Sequence, residues 1–236
     1  MLRTPLNSRV SLQMPALLIF GLVVSLAAVP LLLASFKRLH FQPWSLVPRI
    51  SLWAAAIVVV VIAAARVGAW RAYLGFVWPT WGGIGWAVVA AALMFGALGA
   101  SMYVQQKRGS QSHKQRAQYQ ALLSLPFGHR CFIVITAAVT EEVLYRAYAV
   151  GIGQLLFGSL WVAGAVSVVA FTLAHFKWGL AHLVPVFVSA VVFTLLFMLT
   201  RNLWVCILAH AIVDGAGFLA MPAAMHRTAK LEHNAG

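Results

Sequence analysis

The chain has 236 residues, of which 62% are hydrophobic and 9% are charged, and its mean hydropathy is +0.89. This composition is typical of a polytopic membrane protein and argues against a soluble globular domain. The formal net charge is +13, but the basic residues stand between apolar runs and form no interleaved basic and aromatic face. We therefore expect no nucleic-acid partner.

Apolar runs predict an all-α fold, a polytopic bundle of about seven transmembrane helices. All but one of the runs have 20–22 residues, close to the roughly 20 that cross a bilayer core of about 30 Å, and the run at 51–65 has 15. The predicted spans are residues 14–35, 51–65, 84–104, 130–150, 155–176, 178–199 and 203–222. The first run follows two arginines, as in a signal peptide, but it is too long for a signal peptide's apolar region. We expect it to remain as a helix.

Loop charge predicts the orientation of the bundle. Five Lys and Arg residues fall on the side of the N-terminus and eleven on the other side, with Arg146 inside a span. The positive-inside rule then places the N-terminus outside, and it places the polar stretch 105–127 and the C-terminus in the cytoplasm. The compact size favours the inner membrane of a prokaryote.

The acidic residues have an unusual distribution, because three of the four lie within hydrophobic runs. Glu141 and Glu142 stand side by side in the fourth predicted span, and Asp214 lies in the seventh. A carboxylate near the bilayer centre costs about 2.5–3.5 kcal/mol even on insertion scales. This placement predicts a functional site that needs protected carboxylates.

The spacing on the fourth span predicts different roles for the two glutamates. Glu142 and Arg146 are four residues apart, so they share a helix face and we expect them to pair. Glu141 lies about 100° further round the helix and lacks this partner. A purely structural ion pair would explain Glu142 and Arg146, whereas Glu141 is better explained as a general base.

Two histidines occur on other spans at the same spacing from a second side chain. Phe171 and His175 are four apart on the fifth span, and His210 and Asp214 are four apart on the seventh. Asp214 is placed to fix the ring of His210 or, if it is itself protonated, to bind a reacting oxygen. By these boundaries His175 lies nearer the cytoplasm than Glu141. A water-filled cavity or shifted boundaries would bring them together.

Three segments, EEVLYR (141–146), FTLAH (171–175) and HAIVD (210–214), resemble in order the EExxxR, FxxxH and HxxxN/D motifs of the CAAX-processing and bacteriocin-processing (Abi) intramembrane proteases. The resemblance implies an endopeptidase that cuts a membrane-associated protein or peptide near the cytoplasmic face. It implies that Glu141 activates a water, that His175 helps to position it, and that His210 and Asp214 stabilise the oxyanion. Glu142, Arg146 and Phe171 would shape the site.

This resemblance also divides the chain into three parts. Residues 127–222 would form the catalytic core. Residues 1–126 would hold the N-terminal helices and the cytoplasmic loop, without a recognised signature, and residues 223–236 would be a polar tail.

The residues leave two cofactor alternatives. Glu141, His175 and His210 are a possible zinc set, and the family that the motifs resemble has been described as metalloproteases. The HExxH spacing on one helix is absent, however. We expect a metal-free glutamate mechanism, and a divalent metal such as zinc is the alternative.

Other functions compete with proteolysis. A catalytically silent immunity or scaffold protein would retain the same fold. A proton-coupled transporter would also use buried Glu, Asp and His, although no inverted repeat is visible in the sequence. A haem protein with His175 and His210 as axial ligands would leave the glutamates without a purpose.

Overall fold

The computed structural model describes residues 13–40, 45–107, 120–176 and 180–220, and within these ranges it contains nine α-helices and no strand. The helices are α1 (Gln13–Arg38), α2 (Leu46–Arg66), α3 (Trp70–Leu74), α4 (Trp81–Lys107), α5 (Phe127–Glu141), α6 (Gly153–Phe157), α7 (Leu160–Ala174), α8 (Leu180–Thr200) and α9 (Leu203–Gly215). The predicted all-α fold is confirmed. The polar tail at 223–236 and much of the polar stretch 105–127 lie outside the described residues.

The fourth predicted span is part of a longer and unusual helix. From α5 the chain continues without a break through a π-helical segment, Glu142–Ile152, into α6. All eleven residues of this π segment are buried, including a glutamate and an arginine. Stretches of π-helix are rare and occur frequently at functional sites. A second π-helical turn, Ala216–Ala220, follows α9.

In the described part of the chain, five helices are long and apolar enough to cross a membrane by length and composition. These candidate spans are Pro15–Arg38, Leu46–Arg66, Trp81–Ser101, Leu183–Thr200 and Leu203–Ala220. The other two predicted spans correspond to α5 with the π segment, which together contain four charged side chains, and to α7, which has only 15 residues. Several long apolar helices are the hallmark of a multi-pass integral membrane protein.

Two of the predicted boundaries that differ from the structure have a clear local cause. Helix α2 begins at Leu46 rather than at residue 51, because Pro48 falls in the first helical turn, where a proline breaks no hydrogen bond. The fifth predicted span is divided, since the chain turns through Gly158, at φ +66°, between α6 and α7. The first of these differences places Arg49 on a helix.

Helices α1 and α7 hold the π segment from two sides. The hydroxyl of Ser25 on α1 donates to the carbonyl of Leu144, and the hydroxyl of Ser167 on α7 donates to the carbonyl of Tyr145 at 2.6 Å. The hydroxyl of Tyr148 donates to the carbonyl of Leu18 at 3.2 Å. The backbone of the π segment is therefore fixed by side chains from other helices.

The start of α9 is tied to the segment that follows α3. The side-chain oxygen of Asn202 accepts from the Val205 amide at 3.2 Å and caps α9, while its amide nitrogen donates to the carbonyl of Val77 at 3.0 Å. The amide of Leu203 donates to the carbonyl of Gly75 at 2.9 Å. These bonds fix the rotation of α9, which carries His210.

Candidate functional site

The centre of the site is one carboxylate oxygen of Glu142. Its Oε1 accepts a hydrogen bond from Nη1 of Arg146 at 3.0 Å and lies 2.9 Å from Nδ1 of His210. Glu142 and Arg146 are fully buried, and His210 is nearly so. The expected pair between Glu142 and Arg146 is present, and it includes His210 from α9 as a third member.

Arg146 extends this network to α7 and α8. Its Nη2 donates to the backbone carbonyl of Ala190 on α8 at 3.4 Å. Its guanidinium carbon lies 4.5 Å from the ring centroid of Phe171 and 5.7 Å from that of Phe193. A guanidinium over an aromatic face is attracted by the ring quadrupole. Arg146 thus compensates the buried charge of Glu142 and packs the two rings around it.

His210 is held between two carboxylates. Its Nδ1 faces Glu142, and its Nε2 lies 3.5 Å from Oδ2 of Asp214 on the same helix. The ring stacks on Phe193 with centroids 5.3 Å apart. Only the imidazolium form donates a proton to both carboxylates. The 3.5 Å distance is at the limit of a hydrogen bond, so the Nε2–H is less firmly held than the Nδ1–H.

His175 follows the last residue of α7 and is oriented by its own helix. Its Nδ1 lies 2.9 Å from the carbonyl oxygen of Phe171, and its ring centroid lies 4.7 Å from that of Phe171. Because a carbonyl only accepts, Nδ1 carries the proton in this contact. In the neutral ring Nε2 is then an acceptor, and the side chain is partly exposed.

Glu141 lies at the edge of this network rather than inside it. It is the last residue of α5 and is partly buried. Among the described residues it forms no hydrogen bond with His175 or His210, but its charge acts on the side chains of Arg49 and Tyr145. The structure therefore brings Glu142, Arg146, His210 and Asp214 into direct contact. It connects His175 to them through Phe171, and Glu141 stands beside them.

Three residues of this site are not predicted by the sequence patterns. Arg49 on α2 interacts electrostatically with Glu141 and Asp214. Phe193 on α8 covers His210, and Tyr145 packs against Phe171 with centroids 5.0 Å apart.

Local sequence contains a usable signal for two of the three. Tyr145 is four residues after Glu141, the spacing that was applied to the other motifs. Arg49 is a basic residue next to the apolar run of the second span. The helix that contains this run begins five residues earlier than predicted and therefore includes Arg49. Phe193 offers no local signal, because nothing in its surroundings distinguishes it from the other aromatic residues of an apolar helix.

The donor groups do not fit the alternative metal set. Within the described ranges no three His, Cys, Asp or Glu side chains are grouped so that they would hold a metal ion. Both ring nitrogens of His210 face carboxylates, and Nδ1 of His175 faces a carbonyl. Glu141, His175 and His210 therefore do not form a zinc ligand set in the described part of the chain.

Comparison with known protein families agrees with the motifs. Residues 123–216 match the family described as Rce1-like, type II CAAX prenyl endopeptidase Rce1-like. No curated protein and no solved structure matches the chain. Residues 123–216 are therefore a domain of the Rce1-like family, the CAAX-protease and Abi group that the three motifs resemble.

Proposed function

We propose that this protein is an intramembrane endopeptidase of the CAAX-protease type, which hydrolyses a peptide bond of a membrane-associated protein or peptide. The observation that carries the proposal is that two adjacent glutamates have different surroundings. Glu142 is engaged by Arg146 and His210, whereas Glu141 is partly exposed beside them. A site built for stability alone would have no use for this second carboxylate.

The proposed reaction uses Glu141 as its general base. Glu141 takes a proton from a water molecule as the water oxygen forms a bond to the peptide carbonyl carbon. The carbonyl oxygen becomes an oxyanion in the tetrahedral intermediate. When the C–N bond breaks, the protonated Glu141 returns the proton to the departing nitrogen, so that the carboxylate is restored.

The two histidines have complementary tasks in this mechanism. Nε2 of His175 accepts one hydrogen of the water and so orients it. The ring of His210 is fixed at Nδ1 by Glu142, and its Nε2–H donates to the oxyanion without rotation of the ring, because its contact with Asp214 is long. A donor that is oriented before the reaction stabilises developing charge without reorganisation. Asp214 then supports the imidazolium charge instead of binding the oxyanion itself.

The membrane arrangement belongs to the same proposal. Residues 127–222 form the catalytic core within about seven spans, and the site opens towards the cytoplasm of a prokaryotic inner membrane. Helix α7 supports a site within the membrane, because its 15 residues end at Ala174, just before His175, and are too few to cross the bilayer core. The C-terminal end of α7 then lies at the depth of the other site residues.

The test is a comparison of membrane proteomes from cells that carry the wild type or Glu141→Gln, with new protein termini as the readout. Glu232→Gln removes the same charge from the polar tail and is the matched control. Termini present with the wild type and with the control, but absent with Glu141→Gln, would support proteolysis and identify the substrate. Identical termini in all three strains, with the proteins inserted and equally abundant, would favour a silent scaffold or a transporter.

A further inference from the structure

Helix α1 carries a buried hydroxyl in the middle of an apolar stretch. The side chain of Ser25 is completely buried between apolar neighbours on this helix. A buried hydroxyl is unfavourable unless it is hydrogen-bonded, and an alanine in this place would avoid the problem. The hydroxyl of Ser25 donates to the backbone carbonyl of Leu144 in the π segment. This one contact therefore explains why a serine stands at position 25.

The face of α1 that contains Ser25 packs closely against the π segment. Buried residues of α1 recur every three or four positions, as at Leu18, Leu22 and Ser25, which defines one face of a helix. On this side the carbonyl of Leu18 accepts the hydroxyl of Tyr148 at 3.2 Å. A Cβ atom at Gly21 would overlap that same hydroxyl. Helix α1 thus meets the π segment at two successive turns.

The contact made by Ser25 falls inside the buried ion pair. The hydroxyls of Ser25 and Ser167, from α1 and α7, donate to two consecutive carbonyls of the π segment. These carbonyls lie between Glu142 and Arg146, the members of the pair. Glu142 in turn lies 2.9 Å from Nδ1 of His210. The backbone that joins the pair is therefore fixed from both sides.

These bonds favour π winding over α winding between the two charged residues. An α-helix directs each carbonyl to the amide four residues later, whereas a π segment uses the amide five residues later. A side chain that bonds to this ladder from outside draws the carbonyls away from the α-helical pattern. A return to α winding would rotate Arg146 relative to Glu142, because an α turn contains fewer residues. The carboxylate that fixes His210 would then shift.

We propose that α1 is part of the catalytic site and that Ser25 is a positioning residue. With Ser167 opposite, it keeps the backbone inside the ion pair π-helical, which sets the place of the His210 ring. Helix α1 precedes the matched residues 123–216, so a helix outside the matched domain completes the site. This inference rests on the proposed proteolysis and adds to it a residue outside the three sequence motifs.

The test compares Ser25→Ala with Ser35→Ala on the same helix. Ser35 is exposed, so this control removes the same group from α1 without touching the buried face. Ser25→Cys keeps a weak donor in a side chain of similar size, and it serves as the comparison if Ser25→Ala does not fold. The purified full-length proteins would be assayed on a synthetic peptide that spans the cleavage site found by the terminus comparison. The readouts are kcat, KM and hydrogen exchange of the backbone amides in detergent.

The expected loss follows the strength of the donor at position 25. Ser25→Ala should lower kcat by roughly 10- to 100-fold, the order of loss that misplacing a reacting group causes, with KM little changed. Ser25→Cys should fall between Ser25→Ala and the wild type, and Ser35→Ala should equal the wild type. Amides of the π segment should exchange faster in Ser25→Ala, whereas those of α4 should keep the wild-type rate.

Two results would overturn the inference and leave the protease proposal intact. Faster exchange in Ser25→Ala with an unchanged kcat would give Ser25 a role in packing alone. Unchanged exchange would mean that α1 does not hold the π segment. If the wild type is no more active than Glu141→Gln, the proposed function itself fails, and the catalytic role of Ser25 fails with it even where the exchange rates differ as expected.

Discussion

At the scale of single residues, Glu142 and Glu141 illustrate how neighbours in sequence acquire different surroundings. Glu142 faces the interior, where Arg146 and His210 satisfy Oε1. Its other oxygen, Oε2, is buried and has no partner among the described residues. Burial of the Glu142 charge therefore has a cost in free energy, and its stability depends on each of these partners. Removing one partner from a buried pair leaves an uncompensated charge.

This dependence leads to a prediction about stability. Glu142→Ala or Arg146→Ala should reduce the free energy of unfolding by about 3–5 kcal/mol, whereas Glu141→Gln should change it much less. The measurement is thermal or denaturant-induced unfolding of the three purified variants in the same detergent. Equal losses, or a larger loss for Glu141→Gln, would contradict the assignment of a structural role to Glu142 and Arg146.

Sequence spacing predicts contacts within one helix and misses those between helices. The pairs Glu142 with Arg146 and His210 with Asp214 follow from a separation of four residues, and both are in contact. The contact between Glu142 and His210 joins residues 68 positions apart. It depends on how α9 packs against the π segment, which the order of residues along either helix does not encode.

At the scale of elements, the π segment shapes the site because it is built into the core. A π-helical backbone makes i→i+5 hydrogen bonds, and here two of its carbonyls also accept from the serines of α1 and α7. The apolar run at 130–150 predicts a helix but not this variant of one. The stabilising serines lie on other helices, so the local sequence alone could not indicate it.

Close packing of α3 against the π segment gives a second prediction. A Cβ atom at Gly151 would overlap the backbone carbonyl oxygen of Tyr73, which cannot rotate away as a side chain would. Gly151→Ala should therefore abolish a stable fold or lower the thermal midpoint by many degrees, although alanine is normally the better helix former.

Gly96 in α4 is the matched control. A Cβ atom there meets no heavy atom within 4 Å, so Gly96→Ala should keep or slightly raise the thermal midpoint. The measurement is thermal unfolding of both purified variants. A tolerated Gly151→Ala would contradict the packing of α3 against the π segment.

At the scale of the whole molecule, the orientation in the membrane is predicted from the distribution of charged loop residues alone. With Cys131→Ser as background, Ser110→Cys should react with a membrane-impermeant maleimide only from the cytoplasmic side, because the polar stretch 105–127 carries the densest positive charge. Thr80→Cys, in the connection before α4, should react only from the other side. The measurement is labelling of intact cells and of inverted membrane vesicles, and the reverse pattern would invert the proposed topology.

The short helix α7 also has a consequence for the lipid around the protein. Its 15 residues measure about 22 Å along the axis, about 8 Å less than the hydrocarbon thickness of a typical bilayer. Acyl chains next to a short apolar helix compress to match it, at a cost of a fraction of a kcal/mol per ångström. The bilayer is then thinnest where α7 ends, next to His175. Hydrophobic mismatch at this one helix would shorten the path by which water and a membrane-bound peptide reach the buried carboxylates.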